Sequence, residues 1–258
     1  TVGSARPPSI VPLGRWRWPA LALCAFTVLA ALVLPIFVLV YWLAQGVLAG
    51  QPIQLVWAPA LNSVYASGLA TIAISAAAIP VAILAVRYPG TLSALIERAT
   101  YIGFALPGIV IALALVFFGV RYATPLYQTL AMLVFAYVVR FLPQAVGATR
   151  ASLLQVNPRM EDAARSLGSS VPGTLARITI PLVRRGLLAG AGLVFLTVMK
   201  ELPATLILSP IGFGTLATSI WSATGEGLFA RAAVPALLLI VVSFIPMAFM
   251  AADERSGR

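Results

Sequence analysis

The chain has 258 residues, 61% of them hydrophobic and 9% charged, with 17 Lys and Arg against 7 Asp and Glu and a formal net charge of +10. A mean hydropathy of +1.01 lies far outside the usage of water-soluble domains and leaves a membrane protein as the class. With no histidine, one cysteine (Cys24) and one lysine (Lys200, preceded by Val198 and Met199), the sequence excludes His-based triads and His-ligated metals, an internal disulfide, and a Walker A loop, which needs glycine directly before its lysine.

In chain order, residues 1–19 form a basic, Pro-rich segment whose Arg15, Trp16, Arg17 and Trp18 suit a membrane interface. No small-residue cleavage site follows its apolar run, so it does not read as a signal peptide. Residues 20–252 contain six apolar stretches near the roughly 20 residues that cross a bilayer, at about 20–47, 61–86, 100–120, 126–146, 186–208 and 232–252. Cys24 falls in the first and reads as a small packing residue. Residues 253–258 form a short tail. The reading is therefore an all-α integral membrane protein with six transmembrane helices.

Arginines alternate between the connections. Arg6, Arg15 and Arg17 precede the first span, and Arg87 and Arg98 lie between the second and third. Arg150, Arg159, Arg165, Arg177, Arg184 and Arg185 lie between the fourth and fifth, and Arg255 and Arg258 follow the sixth. The other connections hold Arg121 and Arg231. The positive-inside rule then places both termini and the loop at about 150–185 in the cytoplasm, and explains the basic charge without nucleic acid.

Within that loop, Asn157 is a good N-cap, Pro158 suits the first helical position, and Glu161 and Asp162 favour the positive end of the helix dipole. Met160, Ala163, Ala164 and Leu167 share one apolar face, and Gly168 suits the left-handed residue that ends the helix. Ser170 and Pro172 open a second short helix, followed by Pro181. The plain reading is a helix lying on the membrane surface.

Further on, KELPATLIL at 200–208 puts Lys200 and Glu201 well inside an apolar stretch, where ionisable groups are costly unless paired or facing a polar cavity. Adjacent helical residues point about 100° apart, so each needs its own partner. Pro203 permits a bend or break. The other reading ends the span near Met199 and starts a re-entrant or outer loop at Lys200. Arg140 either snorkels to the headgroups or pairs with a carboxylate. Gly186 to Gly190, GLLAG, reads as helix packing.

The 157–181 segment resembles the EAA loop of bacterial ABC-importer permeases of type I. Asp162, Ala163, Ala164 and Gly168 are followed by Ile178, Thr179, Ile180 and Pro181 at the family's spacing. Asp162 stands at the usual glutamate position, with Glu161 directly before it. KELPATL, PIGFGTLATSIW at 210–221 and AYVVRFLP at 136–143 are similar to the second half of ferric-iron permeases, from about residue 15 onward. Thiamine, phosphonate, polyamine and sulfate permeases share the loop.

The resemblance implies a six-span permease with a cytoplasmic coupling-helix loop in the bacterial inner membrane, carrying ferric iron inward by alternating access. Met160, Glu161, Asp162, Ala163, Ala164, Leu167, Gly168, Ile178 and Pro181 would couple to the ATPase, and Lys200, Glu201, Pro203 and Arg140 would line or gate the path. The implied partners are two ATPase subunits, which would bind ATP and Mg, a second six-span half, an external binding protein and lipid. No metal site or cofactor is expected in the chain itself, and no catalysis. Residues 1–19 then resemble the linker of a fused two-half permease; a processed or truncated start of a separate subunit is the other reading. An ATP-independent channel or carrier is the alternative from another class.

Overall fold

The computed structural model describes residues 12–52 and 55–256, with side chains described as far as residue 248. Most of the basic N-terminal segment, residues 1–11, and the last two residues of the tail lie outside the described residues. The described residues form helices joined by short turns. The chain divides into two units, Thr1–Pro52 and Ile53–Arg258.

The described part of the first unit is dominated by one helix, α1, Gly14–Leu48. A π turn at Leu29–Val33 immediately precedes the regular segment with Pro35 near its start. Proline lacks the N–H for a normal turn and its ring crowds the carbonyl four residues back, so a widened turn lets the helix pass. The Arg17 guanidinium lies 5.0 Å from the Trp18 ring centre, an arrangement suited to the interface at which such pairs concentrate.

The second unit is built on α2, Trp57–Arg87. It is followed by α3, Thr91–Ala105, and α4, Gly108–Tyr122. Then come α5, Leu130–Gln155, the short α6, Pro158–Ser166, and α7, Val171–Met199. Two short helices, α8 (Pro203–Leu208) and α9 (Leu216–Gly225), lead into α10, Phe229–Ser256. Residues 253–256 of the expected tail continue α10.

Among the described residues, five helices are each long and apolar enough to cross a bilayer: α1, α2, α5, α7 and α10. The third expected span, about 100–120, is not one straight helix. α3 and α4 meet at 102° around Leu106 and Pro107, and give a sixth crossing only if the bent pair counts as one. The cause is local: a residue before proline is pushed out of the helical region, and Leu106 is extended at φ −81° and ψ 139°.

The fifth expected span, about 186–208, also changes. Its helix begins at Val171 and ends at Met199, while 203–208 is a separate helix. Arg177, Arg184 and Arg185 lowered the apolar signal of a helix that continues beyond its hydrophobic part. The second short helix expected from Ser170 is therefore the first turn of α7, and Pro181 lies inside it rather than after it. A π turn at Leu175–Thr179 precedes Pro181, the same accommodation as at Pro35.

The core lies where α2 meets α5 and α7. Ala66, Ala70, Ile74 and Ala78 of α2 pack with Leu133, Tyr137, Phe141 and Val146 of α5 and with Val194 and Val198 of α7. The alanine face allows close approach where lipid supplies no hydrophobic drive between helices. Gly186 and Gly190 serve the same end: a Cβ on either would collide with Ser152 or Ala148 of α5.

Candidate functional site

Two polar constellations stand out, at opposite ends of α2. The first is at α6. Asn157 caps this helix, its Oδ1 accepting the Arg159 N–H at 3.1 Å, and Pro158 is its first residue. Gly168 closes it at φ +88°. The N–H groups of Gly168 and Ser169 reach back to the carbonyls of Arg165 (3.0 Å) and Ala164 (3.1 Å), a Schellman closure.

Glu161 faces inward. Its carboxylate accepts a forked pair of bonds from Arg87 at the end of α2, Nε to Oε2 and Nη2 to Oε1, each at 3.0 Å. Thr179 of α7 donates to Oε1 at 3.0 Å. Arg87 Nη2 also reaches the carbonyls of Val156 (3.2 Å) and Leu153 (3.4 Å), left open where α5 ends. The Arg87 and Glu161 side chains are only 13% and 16% exposed, and the planar fork of arginine matches a carboxylate in a way lysine cannot.

Most of the other residues of the EAA-like segment face outward. Asp162, Ala163, Gly168 and Pro181 are exposed, while Ala164 and Ile178 are half-buried. Met160 is 47% exposed and Leu167 89%. An open groove of ≈ 460 Å³ runs beside α6, lined by Ser152, Gln155, Asn157, Met160, Leu182 and Arg185 among others.

The second constellation is at the break between α7 and α8. Glu201 is 7% exposed, and its Oε1 accepts from Arg140 Nη1 at 3.1 Å and from the Ala204 N–H at 3.2 Å. Arg140 thus pairs with a carboxylate of its own chain. Thr205 Oγ1 donates to the Glu201 carbonyl at 2.6 Å. That uses the one hydroxyl proton of Thr205, so in its 2.7 Å bond with Tyr137 the tyrosine is the donor. A small void of ≈ 10 Å³ lies among Ser63, Ser67, Tyr137, Glu201, Thr205 and Thr215, about the space of one water.

Lys200 is exposed and has no ion pair among the described residues. It and Glu201 lie in the break after the helix ends at Met199, as in the second of the two readings, so the helical 100° argument does not apply to them. Pro203 is half-buried at the first position of α8. Sequence reasoning missed Arg87, Thr179, Gly108, Tyr137 and Thr205. Gly108 leaves the space the ion pair fills, because a Cβ there would fall on the Arg140 guanidinium. A Leu-Pro-Gly run opening a helix was the available signal; nothing local pairs Arg87 with a residue 74 positions away.

The family model described as "Binding-protein-dependent transport system inner membrane component" matches residues 70–256. An Fe(3+)-transport system permease protein of Haemophilus influenzae is 38% identical over 216 residues, 83% of this chain and 42% of that protein. The chain thus spans less than half the length of that relative. A probable molybdenum ABC transporter permease protein of Haloferax volcanii is 32% identical over 234 residues, 88% of this chain and 86% of that protein. Among solved structures, a bacterial alginate ABC transporter in complex with an alginate pentasaccharide-bound periplasmic protein has a chain that matches with a TM-score of 0.72 at 15% identity, covering 95% of this chain and 96% of that one. The MetNI methionine ABC transporter in its inward-facing form matches at TM-score 0.61 and 16% identity, covering 76% and 93%. At these identities the two structures speak for the fold alone.

Proposed function

The chain belongs to the family of binding-protein-dependent transport system inner membrane components, and from that premise we propose that it is a permease subunit, or half, of an ATP-driven importer with ferric iron as cargo. The observation that carries the reading is α6. It is a short amphipathic helix between two long apolar ones, anchored inward through Glu161, with Met160, Ala163 and Leu167 exposed on the opposite side. Such a surface suits docking to a soluble ATPase.

In this reading the arginine-rich connections and both termini lie in the cytoplasm. Two ATPase subunits bind ATP and Mg, close, and draw the docked α6 helices of two six-span halves together. The halves rock, opening a path to a loaded external binding protein, and hydrolysis resets them. Lys200, Glu201, Pro203 and Arg140 shape that path. The chain acts as a conduit, with selectivity left to the external binding protein. Iron is favoured by the 38% identity to the Haemophilus permease. A molybdenum cargo is the second reading, favoured by the relative aligned over 86% of its length.

Uptake of radiolabelled ferric iron in cells lacking the gene, complemented with the parent or with Gly168→Asp, tests both parts. The parent restores ATP-dependent uptake, and the variant reaches the membrane but does not transport, because a side chain at φ +88° costs about 1 kcal/mol and adds charge to the docking face. Full transport by the variant sinks the coupling assignment. No iron defect in the deletion strain moves the cargo to another substrate.

A further inference from the structure

α2 touches both constellations, one at each end. At one end Arg87 holds the last carbonyls of α5 and the Glu161 carboxylate of α6, which Thr179 of α7 also contacts. At the other end Asn62 Nδ2 donates to the Gly214 carbonyl at 2.9 Å, and Ser63 Oγ accepts the Leu216 N–H at 2.8 Å. Those two contacts grip the turn between α8 and α9. Ser63 and Ser67 also border the void beside Glu201.

Between these ends α2 is unbroken through Trp57–Arg87, Pro80 included. At about 1.5 Å per residue, Ser63 and Arg87 stand roughly 36 Å apart along it. Its buried face is mostly alanine, at Ala66, Ala70, Ala78 and Ala82. Small side chains let most of this face pack closely on α5 and α7, with Ile74 the large buried side chain midway along it. The forked pair at Arg87 is the opposite kind of contact: directional and largely buried, so α6 cannot tilt from α2 without stripping both charges.

We propose that Arg87 and Glu161 are positioning residues that clamp α6 to α2, and that α2 carries a displacement of α6 to the α8–α9 turn beside Glu201. The inference rests on the reading of α6 as the ATPase-docking helix. It makes the polar contacts at Asn62 and Ser63 the output end of the same rod.

The test uses the assembled transporter in proteoliposomes, in a cysteine-free background with Cys24→Ser. A spin label at Ile211→Cys, a position 89% exposed on the turn, reports its mobility before and after addition of ATP and Mg. The parent spectrum changes on ATP addition. With Arg87→Gln or Glu161→Gln the change is lost while ATP hydrolysis continues, and the conservative Arg87→Lys, which keeps the charge without the fork, retains part of it. A purely structural role would lower ATP hydrolysis and co-purification of the ATPase together with the response, whereas the link predicts loss of the response alone. An ATP response at position 211 that survives both single variants, or no response in the parent, overturns the link. Leu167→Asp separates this from the docking reading: if the ATPase still co-purifies with it and transport is unchanged, the docking assignment fails, whereas loss of co-purification there alongside an intact response in Arg87→Gln removes the link alone.

Discussion

Arg140 and Glu201 show how a single residue is paid for by its surroundings. A carboxylate 6% exposed in an apolar bundle is tolerable only because Arg140, the Ala204 N–H and the space left by Gly108 are all in place. Removing the guanidinium leaves Glu201 as an uncompensated charge. Arg140→Ala is therefore expected to cost about 3–5 kcal/mol, toward the lower end because Arg140 itself is 25% exposed. The paired variant Arg140→Met with Glu201→Gln is expected to recover most of that. Thermal unfolding of the detergent-solubilised protein checks both, and equal losses in the single and paired variants would refute the pairing argument. Glu161 obeys the same rule with Arg87, except that its carboxylate also accepts from a threonine and its partner binds helix-end carbonyls.

At the scale of elements, α6 is held by its ends and its inner side rather than by a core. Asn157 and Gly168 fix where it starts and stops, and Glu161 fixes which side faces in. Loss of the cap through Asn157→Ala is expected to loosen α6 by about 1 kcal/mol. Hydrogen exchange should show this as faster exchange confined to the first turn of α6, with α5 and α7 unchanged; an effect spread over all three would mean the cap is not local. The two π turns make a related point. Pro35 and Pro181 sit in long helices without breaking them because each follows a widened turn. Pro80 and Pro143 stay inside α2 and α5 without a widened turn, whereas at Leu106 the backbone leaves the helical region before Pro107 and the chain bends by 102°.

For the molecule as a whole, the alternation of arginines gives an orientation that can be measured directly. In right-side-out membranes, a membrane-impermeant thiol reagent is expected to label Ile211→Cys and to spare Leu167→Cys, both in a Cys24→Ser background; the reverse pattern would invert the topology. Much of this was legible in the sequence. Apolar runs announced the long helices, since a bilayer sets their length, and Asn157, Pro158 and Gly168 announced α6, since caps and left-handed glycines act within a turn of their own position. The EAA-like spacing, read as a resemblance, led to the family that residues 70–256 match. The breaks and the pairings were less legible. Hydropathy could not register the bend at Leu106 or carry α7 back to Val171, because the one is a backbone event and the other runs through arginines. Nor could it join Arg87 to Glu161 or Arg140 to Glu201, across 74 and 61 residues. The sequence by itself determined which segments are apolar enough to leave water, because the hydrophobic term follows the side chains a segment carries. Only the tertiary structure decided which charges meet, because a buried ion pair depends on where distant helices bring their side chains.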